Sequence, residues 1–170
     1  MRPGTLGVLL AAGCPQRPES LMAPVAGPAG AFWVDRFEHP NHLGATPAAA
    51  LDFSAAAAGC AGQGKRLCTL AEWQRACAGS SAASPLRADA CVVGGAAPGP
   101  LQSGAWPSCV SPDGVFDLLG NVAEWVEGPG GAGLRVGGAV DSPPGAVACS
   151  APGIAGPGVA GARCCAGAPP

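Results

Sequence analysis

The sequence predicts a loop-rich fold that mixes a few helices with a few strands. Three observations predict it. Glycine and proline number 28 and 19 among 170 residues, a level at which low complexity is suspected. Four tryptophans and nine cysteines at non-repetitive spacings argue instead for a packed domain. Between the loops, a few short stretches carry capping or alternation signals that place individual elements. The length suits one domain. A net charge of -2 with only 12% charged residues gives no electrostatic footprint for nucleic acid or an acidic membrane surface.

Taken in order, residues Met1 to Cys14 read as an export signal. Arg2 gives a positive start, Leu6 to Ala12 a short apolar run, and small residues precede Cys14. The run is too short to span a bilayer. Residues 15–30, rich in Pro, Gly and Ala without periodicity, read as a flexible tether. A folded domain is expected over 31–167. Phe32 to Glu38 reads as its first strand, with aromatic enrichment and alternation around Val34.

Asp52 is placed to N-cap a helix whose face carries Phe53, Ala56, Ala57 and Cys60, with Gly62 and Gly64 ending it. The next helix is better marked. Thr69 and Glu72 form a capping box, and Cys68 with Trp73 can staple it. Leu70, Trp73 and Cys77 share one face and Gly79 stops the helix. Capping is the expected role of Glu72, and Lys65 and Arg66 are expected to orient loops or pair with carboxylates. Ser80 to Pro112 reads as a long crossing loop pinned by Cys91 and Cys109.

The stretch from Gly114 to Val126 organises the chain. Asp117, Asn121 and Glu124 are polar points in an apolar run, and Gly114 and Gly120 permit positive φ. It suits an irregular buried loop whose polar groups turn inward on a cation or on backbone. Trp73 and Trp125 are expected in the core. Asp141 to Pro157 reads as a second loose loop.

Gly64-Lys65-Arg66-Leu67-Cys68-Thr69-Leu70-Ala71-Glu72-Trp73, followed by Gly114 to Trp125, resembles the two signature blocks of the formylglycine-generating enzyme (sulfatase-modifying factor) family. With flanks the resemblance runs from Phe32 to Cys165. Phe32, Asp35 and Glu38 match its F-x-x-D-x-x-E opening strand, and Asn41 the asparagine that follows. Leu134 to Ala139 resembles the R-G-G-S strand. Gly161 to Cys165 resembles the closing G-F-R-C strand, with Ala162 in place of the aromatic. Leu10 to Cys14 resembles a bacterial lipoprotein box, which makes Cys14 the lipidated first residue.

The resemblance implies an α+β, C-type-lectin-like fold of two helices, short antiparallel strands and long loops. It also implies one structural calcium ion, held by the Asp117 side chain, the Gly120 and Val122 carbonyls and the Glu124 side chain; calcium takes such oxygen sets. Catalytic members hold copper with two cysteines after the R-G-G motif. Here those places hold Asp141 or Ser142 and Ala146 or Val147, and Cys149 comes too late. Copper is therefore not expected, and Cys164-Cys165 reads as structural.

Zinc is disfavoured, because no C-x-x-C occurs and the two histidines lie close together at His39 and His42. Disulfides explain the cysteines better and imply an oxidising compartment. The eight after Cys14 allow 105 pairings, and none is preferred. No phosphate loop, Rossmann fingerprint or Ser-His-Asp context is present. The expectation is a non-catalytic binding or accessory module of the bacterial cell envelope, with a protein or glycan ligand. The alternative is a formylglycine-generating-type oxidoreductase with an altered metal site.

Overall fold

The computed structural model describes residues 21–27, 30–79 and 86–167. The expected lipoprotein box at Leu10 to Cys14 and part of the first long loop lie outside them. The described residues form an α+β domain with two helices and two four-stranded sheets. No described helix is long and apolar enough to cross a membrane.

The described residues begin with a hairpin. Strand β1 (Met22–Gly27) pairs antiparallel with β2 (Gly30–Asp35), in register from Met22↔Asp35 to Gly27↔Gly30. This revises the expected tether over 15–30, because Met22 to Gly27 are part of the sheet. Ala23 and Val25 alternate inward and are fully buried. Pro24 is tolerated because β1 is an edge strand. Alternation carried by one alanine and one valine is a faint signal against a Pro/Gly background. Strand β2 stops at Asp35, earlier than expected.

Helix α1 (Phe53–Ala61) begins as the sequence predicts. The Asp52 carboxylate accepts a bond of 2.7 Å from the Ala55 amide, and Ala56 and Cys60 are buried. After the short strand β3 (Arg66–Leu67) comes α2 (Leu70–Ala78) with its complete capping box. Thr69 Oγ1 accepts from the Glu72 amide at 3.2 Å and Glu72 Oε2 accepts from the Thr69 amide at 2.9 Å. Glu72 also takes two bonds from Arg66, at 2.7 and 2.6 Å. Glu72 and Arg66 therefore have the local roles expected of them.

The second half supplies β4 (Glu124–Glu127), β5 (Gly133–Val136), β6 (Ile154–Ala155), β7 (Gly161–Ala162) and β8 (Cys164–Gly167). One sheet runs β1-β2-β8-β3 and the other β6-β5-β4-β7. Pairing is antiparallel as expected, except that β4 and β7 run parallel. The closing stretch is thus divided. β7 belongs to one sheet and β8 to the other, and Arg163 alone separates them.

The eight cysteines pair as Cys60–Cys164, Cys68–Cys165, Cys77–Cys149 and Cys91–Cys109. Neighbouring residues on a strand face opposite ways. Cys164 therefore ties β8 to α1, while Cys165 ties it to Cys68, which directly follows β3. Cys77–Cys149 fastens the second long loop to α2, and Cys91–Cys109 pins the first, as expected. Around Cys164 three small residues, Ala56, Ala160 and Ala162, are buried beside Leu67 and Trp125.

Three of the bridges close loops of 72 to 104 residues. Long closures restrict the unfolded chain most. Replacing Cys60 and Cys164 together by alanine is expected to cost about 2–5 kcal/mol. Denaturant unfolding of oxidised protein measures it. A loss below about 1 kcal/mol would mean that this bridge does not constrain the fold.

Candidate functional site

The central block folds as an irregular buried loop that runs into β4. Asp117 and Asn121 adopt positive φ, 57° and 53°. Gly120 must be glycine there, since a Cβ would lie 2.6 Å from Val93 Cγ1 as well as against the Val92 carbonyl. These turns aim the side chains of the block into a chamber between the two sheets.

Glu124 stands at the start of β4 and is fully buried. Its Oε2 accepts from Trp73 Nε1 at 2.6 Å. Its Oε1 accepts from Arg163 Nε at 2.9 Å and from Arg163 Nη2 at 2.5 Å. Arg163, also fully buried, donates from Nη1 to the Asp35 carbonyl at 3.0 Å and from Nη2 to the Phe116 carbonyl at 2.9 Å. Arg163 thereby binds β4, β2 and the central loop at once.

Asn121 and Glu38 form the other half of the chamber. Asn121 Oδ1 accepts from the Leu101 amide at 2.7 Å, and its Nδ2 donates to Glu38 Oε2 at 2.8 Å. Ser103 Oγ lies 3.0 Å from Glu38 Oε2. Asp117 Oδ2 accepts from the Gly104 amide at 2.6 Å. At the margin Asp35 Oδ1 accepts from Lys65 Nζ at 2.6 Å, so Lys65 pairs with a carboxylate as expected. Asp35 Oδ2 is buried without a hydrogen-bond partner.

Three buried carboxylates thus face one guanidinium. Burial raises the pKa of Glu38, and Asp117 and Glu124 add to it, taking it to about 8. Burial also raises Asp117 and Glu124, with Arg163 offsetting part of the shift in each. For Arg163, burial works against the charge, but Glu124, Glu38 and Asp117 outweigh it and hold the proton. With its pKa raised to about 8, Glu38 keeps its proton at neutral pH.

Of the four residues expected to bind calcium, Asp117 and Glu124 share this chamber and influence each other's ionisation. They do not meet at a bare point. Each already accepts hydrogen bonds from protein donors. Among the described residues no three His, Cys, Asp or Glu side chains form a metal-holding group. Sequence reasoning missed Arg163 as the partner of Glu124. The available signal was a lone arginine in an otherwise apolar closing strand. It also missed Ser103, which nothing in its Gly- and Pro-rich surroundings marks.

The places where copper cysteines would fall, Asp141 or Ser142 and Ala146 or Val147, hold no thiol, and Cys149 is bonded to Cys77. A broad groove of about 1680 Å³ lies elsewhere, between α2, the β1–β2 hairpin and the second long loop. Phe32, Ala71, Leu86 and Val147 line it with Glu72, which is tied to Thr69 and Arg66. No family model and no curated protein matches this chain.

A raised carboxyl pKa makes stability depend on pH in a known direction. The unfolded chain releases the Glu38 proton near its ordinary 4.5 and the folded one near 8. The contribution of Glu38 to stability is thus greatest below about pH 4.5 and is lost as pH rises towards 8. Glu38→Gln is expected to flatten unfolding free energy across that window, measured by urea titration at several pH values. An unchanged slope would place the proton elsewhere.

Proposed function

We propose that this chain is an exported, disulfide-stabilised member of the formylglycine-generating enzyme family, with that family's C-type-lectin-like variety of α+β fold. In this reading it acts as a non-catalytic binding or accessory module of the bacterial cell envelope. Its long loops present a surface to a protein or glycan ligand, and Cys14 anchors it to lipid. The observation that carries the reading is that all eight cysteines among the described residues are in disulfides. Soft Cu(I) chemistry needs thiolate ligands, and none is free there. The order of the two signature blocks supports the family. The disulfides also favour an oxidising compartment.

The competing reading, a formylglycine-generating oxidoreductase with a changed metal site, makes a different prediction in one assay. Oxygen consumption on a cysteine-containing peptide is followed while copper is titrated into the oxidised protein. No copper-dependent turnover is expected. Turnover that follows copper occupancy would replace the present reading with the enzymatic one.

Calcium belongs to the same proposal. The chemistry of the donor set fits it on charge, because with Glu38 protonated the buried Asp117 and Glu124 carboxylates still exceed the Arg163 guanidinium by one negative charge. An ionised carboxylate has about four acceptor positions. Glu124 spends three on Arg163 and Trp73, which leaves one, and Asp117 spends one on Gly104. The ion would be held by Asp117, Gly120, Val122 and Glu124 and would supply positive charge to the loop, no reaction step. Thermal melting is expected to rise with added calcium and to fall with chelator. Asp117→Asn, which leaves the Glu124–Arg163 pair intact, should blunt the response. Unchanged melting together with no heat of binding in calorimetry would remove calcium from the proposal.

A further inference from the structure

Arg135 lies outside the chamber, and nothing above uses it. On β5 it faces Trp125 of β4 on one side and Ile154 of β6 on the other, so the three form one cross-strand row. Its guanidinium carbon stands 5.6 Å from the Trp125 ring centroid, in cation–π contact. Gly158 also packs against the guanidinium, where a Cβ would meet Nη1 and come within 2.6 Å of that carbon. The indole ring and the Gly158 backbone thus both restrict the guanidinium.

Arg135 has no salt bridge among the described residues, and its Nε is buried without a hydrogen-bond partner. The side chain is only half-buried, so the terminal nitrogens are the part that meets solvent. Ile154, its cross-strand partner on β6, is 65% exposed, and Val159, next to Gly158 in the chain, is 58% exposed. Trp125 itself is held from behind by Phe53 and by a 2.8 Å bond from its Nε1 to the Leu51 carbonyl.

The geometry points to a carboxylate-binding subsite at Arg135 for the free C-terminus of a protein chain ending in a branched aliphatic residue. It rests on the reading of the domain as a binding module. A planar carboxylate matches the two terminal nitrogens of a guanidinium held flat. Nε is shut in, so the approach is end-on. Directly opposed residues on paired strands have Cβ atoms about 5 Å apart. Arg135 and Ile154 are so opposed, and a C-terminal residue carries its carboxylate and its apolar side chain on one carbon. An internal acidic residue in an extended peptide turns its neighbours to the opposite face. The apolar flank also makes the site a poor match for a phosphate.

The test is NMR of the Arg135 Nε–H signal in the full chain, with N-acetyl-L-leucine as the probe. The expected result is a saturable shift with roughly millimolar half-saturation, as suits so small a ligand. N-acetyl-leucinamide, which lacks the carboxylate, should give none. Arg135→Lys keeps the charge but loses the planar fork, and should abolish saturable binding read on the Ile154 and Val159 methyl signals. A flat titration with the acid, or an equal shift with the amide, overturns the subsite. An equal shift with N-acetyl-glutamic acid α-amide, whose carboxylate is on the side chain, overturns its assignment to a C-terminus. Copper-dependent turnover would overturn the function proposed above without moving this titration. A flat titration without turnover overturns this subsite alone.

Discussion

The structure depends on the buried pair between Arg163 and Glu124. Arg163 is the single residue between β7 of one sheet and β8 of the other. An arginine fully removed from water must have its charge met and its donors filled. Glu124 meets the charge, and the Asp35 and Phe116 carbonyls take two further bonds. Trp73 Nε1 completes Glu124 from α2. One cluster thus sets the relation of both sheets, the second helix and the central loop. Removing either partner would leave an uncompensated buried charge, the costly case for such pairs. The pair is better understood as fixing an arrangement than as adding net stability.

Stability comes from elsewhere, because this chain has few large side chains to bury. Around Cys164 the buried cluster is three alanines, Leu67, Trp125 and a disulfide. Small residues remove little apolar area each, at about 25 cal/mol per Å². Cross-links act instead on the unfolded chain. Their placement follows this logic, since three of the four join positions 72 to 104 residues apart. The long loops between elements are held at their middles and need not fill a core of their own.

What was legible in the sequence was local. The capping box at Thr69 and Glu72, the Asp52 cap and the glycine stops use groups within four residues of one another, and spacing alone reveals them. The inward turn of Asp117, Asn121 and Glu124 was legible too, from polar residues at fixed points beside glycines. What escaped was non-local. The partner of Glu124 lies 39 residues away, and that of Asn121 lies 83 residues away at Glu38. Neither spacing nor periodicity encodes such distances. Strand β1 escaped for another reason: its buried face has only Ala23 and Val25, too little apolar contrast to stand out from a Pro/Gly-rich approach. Pairing of the cysteines was closed to sequence by the number of combinations.

The charge balance of the chamber links its architecture to its chemistry. Buried carboxylates can be neutralised by a guanidinium, a proton or a metal ion. Arg163 serves Glu124 directly, through short bonds. Glu38 lies beyond its hydrogen bonds and keeps a proton, because Asp117 and Glu124 oppose a third charge there. A cation at Asp117 would remove that opposition and lower the Glu38 pKa, so proton and cation compete for one electrostatic role. Both solutions place the acidic groups in service of the loop, with every polar contact directed at backbone or at another buried side chain. A catalytic carboxylate must reach a substrate, and Glu38, Asp117 and Glu124 are each at most 2% exposed. The polar groups of the chamber are thus turned on the domain's own backbone and side chains.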